Sequence, residues 1–332
     1  MTRAYLAFTD TGLALARRLA DALPGSVDRC GSSGVSLARW TALQFAQSDA
    51  LVFVGAVGIA VRAIAPHCRS KASDPAVVVL DECGRFAVPV LSGHLGGAND
   101  LARALAAVCG AVPVITTATD AHGIFAVDEW AKHQNCTVLE AERIKHVSSK
   151  LLAGQSVRFA AEFPVQGTLP AGVDPARTPA EADFALTLSP AGDALHLVPR
   201  IGVLGIGCRR GTCAEQLEAA FTDFCARHSL APACIAAAAS IDLKADEAGL
   251  LAFCRAHGWP ITFYSAEQLR ALPGPFTPSP FVQSVTGVDN VCERAAVLAS
   301  GGCIRIPKQA GGGVTFALAL CPYAPDWRWQ NG

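Results

Sequence analysis

Five consecutive apolar residues, Ala50-Leu51-Val52-Phe53-Val54, stop at Gly55, and a helical pattern from Val57 to Ala65 follows until Pro66 closes it. A run without polar alternation is buried on both faces, as a strand is inside a parallel sheet covered by helices. The same grammar recurs along the chain. Ala4–Phe8 reads as a strand and Thr11–Leu23 as a helix stopped by Pro24-Gly25. Val77–Asp81 and Phe86–Leu91 flank Glu82, Cys83 and Gly84 and read as a β-hairpin. A glycine-rich loop, Ser92–Gly97, then leads into a helix over Ala98–Cys109, and Val112–Thr116 reads as another buried strand.

A second series starts at Ile201. The strand Ile201–Ile206 runs into Gly207-Cys208-Arg209-Arg210-Gly211, and a helix follows over Cys213–Arg227, with Thr212 and Glu215 spaced as a capping box. Helices over Glu247–His257, Ala266–Leu272 and Val288–Ala299 and strands over Ile261–Tyr264, Cys303–Pro307 and Val314–Leu320 complete it. Between the two series the prolines Pro164, Pro170, Pro175, Pro179 and Pro190 break the pattern into short segments. The expected fold class is therefore α/β: two α/β domains with largely parallel sheets, over 1–135 and 200–332, joined by a small middle domain over 136–199.

Composition narrows the function. Hydrophobic residues make up 51% and charged residues 17%, which suits a packed globular protein. The net charge of −1 gives no global field for nucleic acid or an anionic membrane, so an anionic ligand must meet local cations. Ala104–Thr119 is uncharged but contains Gly110 and Pro113 and falls short of a membrane span. Asp10, Arg17, Arg18 and Asp21 interrupt any signal-peptide core, so a cytoplasmic location is the expectation. The 13 cysteines include no C-x-x-C, and their scatter suits reduced thiols packed as small hydrophobes; no metal site is expected.

Four constellations could carry chemistry. In Ser92-Gly93-His94-Leu95-Gly96-Gly97-Ala98-Asn99-Asp100, glycines allow close approach of a ligand and helix-start N–H groups attract an anion. His94 could activate water there, although a helix cap beside a surface histidine reads equally well. Thr116-Thr117-Ala118-Thr119-Asp120 offers hydroxyls and a carboxylate that could act as base or orient His94, or be an ordinary capped turn. Arg62 lies on an otherwise apolar helix, facing a ligand or snorkelling to solvent. Gly205–Gly211 is spaced G-x-G-x-x-x-G, a poor dinucleotide fingerprint, and its two arginines fit a substrate carboxylate better. Lys308, before Gly311–Gly313, reads as a similar loop cation.

Three of these runs also resemble a known family. Val61–Pro66 with Lys71–Val77, Leu91–Asn99 and Val114–Asp120 look like the N-terminal domain of the cobalt-precorrin-5A hydrolase (CbiG) family. Gly205–Thr212, Ser240–Glu247 and Ile306–Gln309 are similar to its C-terminal domain. Asp100 stands where glutamate is expected and Cys213 where serine is usual.

The resemblance implies a cobalamin-pathway enzyme that opens the δ-lactone of cobalt-precorrin-5A and releases a two-carbon fragment as acetaldehyde. Cobalt travels with the substrate, so no cofactor is implied. His94 and Asp120 are the implied catalytic pair, and the Gly96 and Gly97 N–H groups would stabilise the oxyanion. Ser92, Asn99, Thr116 and Thr117 would line the substrate, and Arg62, Lys71, Arg209 and Lys308 would pair with its carboxylates. Transient contact with neighbouring pathway enzymes and self-association stay open, as do two rivals, a non-catalytic tetrapyrrole carrier and a nucleotide-dependent reductase.

Overall fold

The computed structural model describes residues 1–31, 35–70 and 73–329. The chain divides into two compact units, one built from 1–133, 144–155 and 328–332 and the other from 134–143 and 156–327.

The first unit is a mixed six-stranded sheet in the order β2-β1-β3-β4-β5-β6. Its strands are β1 (Arg3–Ala7), β2 (Ser26–Arg29), β3 (Ala50–Val54), β4 (Ala76–Leu80), β5 (Phe86–Leu91) and β6 (Val112–Pro113). Helices α1 (Asp10–Ala22), α2 (Leu37–Gln47), α3 (Val57–Ile64) and α4 (Ala98–Cys109) cover it, and α5 (Ala118–His122), α6 (Val127–His133) and α7 (Ile144–Leu152) follow. Every residue of β3 and β4 is buried. Alternate residues feed two cores, because successive strand side chains point to opposite faces. Ala50, Val52 and Val54 pack with Leu15, Leu19 and Leu105, whereas Leu51 and Phe53 pack with Trp40, Ala60 and Ile64.

The direction of the strands places the chemistry. β1–β4 are parallel, but β4 and β5 form the antiparallel hairpin read from the sequence, and β6 runs with β5. The loops leaving β5 and β6 therefore lie at the edge opposite the one where β1, β3 and β4 end. The loop Ser92–Gly97 and the segment Thr116–Asp120 share that edge. The expected strand Val112–Thr116 is cut to Val112–Pro113, and Thr116 and Thr117 are loop residues leading into α5.

The second unit holds two five-stranded sheets. Residues β7 (Cys136–Val138), β8 (Val157–Ala161), β9 (Val173–Pro175), β10 (Phe184–Leu186) and β11 (Leu195–Pro199) form one, in the order β7-β11-β10-β8-β9. The other, in the order β14-β13-β12-β16-β15, contains β12 (Gly202–Cys208), β13 (Ile235–Ile241), β14 (Ile261–Tyr264), β15 (Cys303–Gly311) and β16 (Val314–Leu320). Its helices are α8 (Ala214–Arg227), α9 (Ala248–Ala256), α10 (Ala266–Ala271), α11 (Pro280–Thr286) and α12 (Cys292–Ser300). One apolar cluster joins Leu188 and Val198 to Ile206, Phe221, Phe253 and Leu318. Gly205 must be glycine, since a Cβ there would lie 1.8 Å from the Cys292 carbonyl oxygen of α12.

Two local expectations shift. The box at the start of α8 is Cys213 with Gln216, because Thr212 Oγ1 turns back to donate to the Arg209 carbonyl at 2.8 Å. Lys308 sits within the longer strand β15, not in a loop.

Candidate active site

The loop after β5 makes a tight reversal. Ser92 adopts a positive φ of 56° and its buried hydroxyl donates to the Asp74 carbonyl at 2.9 Å, so it anchors the loop. Gly96 packs on Ser92, where a Cβ would come within 2.4 Å of the serine Cβ. The N–H groups of Gly97, Ala98 and Asn99 donate to the His94, Ser92 and Gly93 carbonyls at 2.9, 3.1 and 3.0 Å. The donors at the start of α4 are thus spent on the loop itself, and of the two expected oxyanion donors only Gly96 is left to serve.

This loop fixes His94 between two carboxylates. Nε2 lies 2.8 Å from Asp120 Oδ2, and Nδ1 lies 3.2–3.3 Å from the oxygens of Asp128 on α6. Asp120 accepts four side-chain bonds: from His94, from Thr117 Oγ1, from Asn99 Nδ2 at 3.2 Å and from Arg103 Nη2 at 2.6 Å. Asn99 also donates to Thr117 Oγ1 at 3.2 Å. Asp128 is less occupied, accepting from His94 and from the Glu129 N–H at 3.2 Å. Arg103 reaches on to Asp100 at 3.4 Å and Glu129 at 3.6 Å, and Lys132 pairs with Asp100 at 2.7 Å.

The expected residues His94, Asn99, Thr117 and Asp120 therefore converge. Thr116 is exposed and makes no hydrogen bond among the described residues. Arg62 is exposed on α3, and Lys71 lies outside the described residues. Arg209 and Lys308 belong to the second unit, at the sheet edge where β12 and β15 end. Neither forms an ion pair among the described residues, whereas Arg210 is held by Asp246 at 3.0 Å and Glu247 at 3.6 Å. Asp128, Glu129 and Arg103 were not expected. The signal for the two acids lay in Phe125-Ala126-Val127-Asp128-Glu129-Trp130, where they interrupt an otherwise apolar run, all of it buried.

Comparison with known proteins bears on the same segments. The family model "Cobalamin synthesis G N-terminal" matches residues 39–120, and "Cobalamin synthesis G C-terminus" matches 202–319. A "Cobalt-precorrin-5A hydrolase" of Salmonella typhimurium is 35% identical over 350 aligned positions, covering 96% of this chain and 97% of that protein. One of the same name from Priestia megaterium is 32% identical, covering 84% and 80%. The chain belongs to the cobalt-precorrin-5A hydrolase (CbiG) family. "Protein CobE" of Sinorhizobium sp. is similar to a smaller part, 34% identical over 120 residues, which is 35% of this chain and 78% of that protein. The CbiG N-terminal match contains His94, Asn99, Thr117 and Asp120 and ends before Asp128, while the C-terminal match contains Arg209 and Lys308.

Electrostatics divide the labour among the CbiG cluster's ionisable groups. Burial works against the charge on His94, but hydrogen bonding and charge from Asp128, then Asp120, overcome it and raise its pKa to about 9. The ring is an imidazolium at neutral pH, with both N–H groups donated. Burial would raise the Asp120 pKa, but its bonds from Thr117, His94 and Arg103 hold it below the usual value, so it is a fixed anion. Glu129 is pushed up to about 7 by burial, with the neighbouring acids adding and His94 and Arg103 opposing.

Proposed function

We propose that this CbiG-family protein hydrolyses the δ-lactone of cobalt-precorrin-5A and releases the C20 two-carbon fragment as acetaldehyde, giving cobalt-precorrin-5B in cobalamin biosynthesis. The observation that carries the reading is His94 held between Asp120 and Asp128 on a glycine-rich loop within the family-matched segment. Asp120, saturated by four donors, is the orienting anion and not the base.

Of the two contacts to His94, the one with Asp128 is longer by about 0.4 Å, the difference between 3.2 and 2.8 Å, and is the one that opens to water. As water enters, the Nδ1 proton passes to Asp128 and the ring takes the water proton. Hydroxide adds to the lactone carbonyl, the ring C–O bond breaks, and His94 returns the proton to the leaving oxygen. Loss of the freed hydroxyl proton then breaks the carbon–carbon bond to C20. Acetaldehyde departs, the bond's electrons stay with the macrocycle, and the macrocycle takes up the proton. The Gly96 N–H donates to the oxyanion in the first step. Within the same unit Arg62 and Lys71 are the cations offered to the acetate and propionate groups, and Asn99 and Thr117 keep Asp120 in place. Cobalt enters as part of the substrate.

The test is acetaldehyde release from cobalt-precorrin-5A under anaerobic conditions. A bound corrinoid spectrum without acetaldehyde would overturn the hydrolase reading in favour of a tetrapyrrole carrier.

A further inference from the structure

Helix α6 carries a glutamate and a histidine four residues apart, Glu129 and His133, and side chains at that spacing share one helix face. Asp100, in the first turn of α4, reaches the same point. One ligand-type atom from each of the three lies within 4.8 Å of the other two.

Two of the three groups carry buried atoms without hydrogen bonds among the described residues. Glu129 is only 1% exposed, and neither carboxylate oxygen receives a hydrogen bond among the described residues; Arg103, 3.6 Å away, balances its charge from beyond hydrogen-bond distance. His133 Nε2 is likewise buried without a partner among the described residues. Native proteins rarely leave buried polar atoms unsatisfied, and an unrecorded ion is one of the accepted reasons when they do.

We propose that Asp100, Glu129 and His133 form a site for a divalent transition-metal ion. Two carboxylate oxygens and an imidazole nitrogen suit Zn²⁺, Mn²⁺ or Fe²⁺ better than a soft ion that prefers thiolates. Ligand distances of about 2.0–2.2 Å would require the three atoms to close only modestly from their present spread. Asp100 already holds Lys132 at 2.7 Å and Arg103 at 3.4 Å. A carboxylate has lone pairs for more than one partner, but Lys132 competes directly with an incoming cation. The ion would tie α4 to α6, the helices that carry Asn99 and Asp128, without touching the reacting atoms. The site stands whichever reaction the His94 cluster performs.

The experiment is calorimetric titration of the chelator-stripped full-length chain with Zn²⁺ or Mn²⁺, joined by the visible absorption of added Co²⁺. Wild type should bind one equivalent. Glu129→Gln and His133→Ala should each weaken binding at least tenfold, His228→Ala should match wild type, and Lys132→Met should bind more tightly because a competing cation is gone. Circular dichroism checks the fold of each variant. If either variant fails to fold, Asp100→Asn, at a partly exposed position, takes its place and should weaken binding in the same way. No equivalent bound at micromolar metal, or equal binding by wild type and the folded ligand variants, would overturn the site.

Discussion

Each unit buries a carboxylate beside the end of its sheet, and the two are satisfied by different kinds of donor. Asp120 in the first unit is held by the side chains of His94, Arg103, Asn99 and Thr117. Glu293 in the second, 2% exposed, takes the backbone N–H groups of Thr277 and Lys308 at 2.7 Å each, with the Thr277 hydroxyl and Asn290 amide. Backbone donors cannot give up their protons or swing away, so Glu293 pins two chain segments and fixes where Lys308 stands. Ionisable donors can exchange protons, so Asp120 anchors a system able to do chemistry. Burial of an acid is shared by both sites; what surrounds the acid separates a clamp of fixed donors from a cluster with an ionisable one.

The comparison can be broken in several ways. The largest expected effect is on rate: Asp120→Asn should lower turnover by about 10²-fold or more through misplacement of His94. Glu293→Gln should leave turnover per folded molecule within a few-fold, and equal losses from both would erase the distinction.

The next effect is on pH-dependent stability. The folded-state pKa of His94, about 9, stands above its ordinary 6.5, so its charge stabilises the fold fully below about pH 6.5, and that contribution is lost as pH rises through 9. The gap in unfolding free energy between wild type and His94→Gln should narrow by up to roughly 3 kcal/mol across that window. Denaturant titrations at about pH 6 and pH 9.5 measure it, and a constant gap would mean the ring is not held as a cation.

Glu293→Gln should then cost about 2 kcal/mol by the same method, from weakened bonds to two backbone donors. Smallest of all, Arg210→Ala removes an exposed pair with Asp246 and a 3.6 Å contact to Glu247, which keeps Lys244 and the Gly211 N–H, and should leave the melting temperature unchanged.

Much of the fold was legible. Uninterrupted apolar runs ending in glycine mark β3, and turn residues mark the β4–β5 hairpin, because burial on both faces and tight reversal each demand a narrow set of residues. β13 was hidden because Ile235-Ala-Ala-Ala-Ala-Ser-Ile241 reads as helix-forming by propensity, yet Ala238 and Ala239 are completely buried inside the sheet. The site was half legible. His94 and Asp120 announce themselves as polar residues in strand-end loops, whereas Asp128 and Glu129 look like ordinary acids in the first turn of a helix. The meaning of the hairpin was also missed: by reversing β5 and β6 it sends the His94 loop to the edge opposite the one where β1, β3 and β4 end, and no local pattern states that.

The central claim is that His94 performs the proton transfers of lactone opening and that Arg209, in the second unit, takes no part in them. Single-turnover acetaldehyde release, measured for wild type, His94→Ala and Arg209→Ala, tests it most directly. The account predicts release by wild type, a loss of about 10²–10⁴-fold for His94→Ala even at saturating substrate, and a normal saturated rate for Arg209→Ala. A saturated rate for His94→Ala within about twofold of wild type would contradict it.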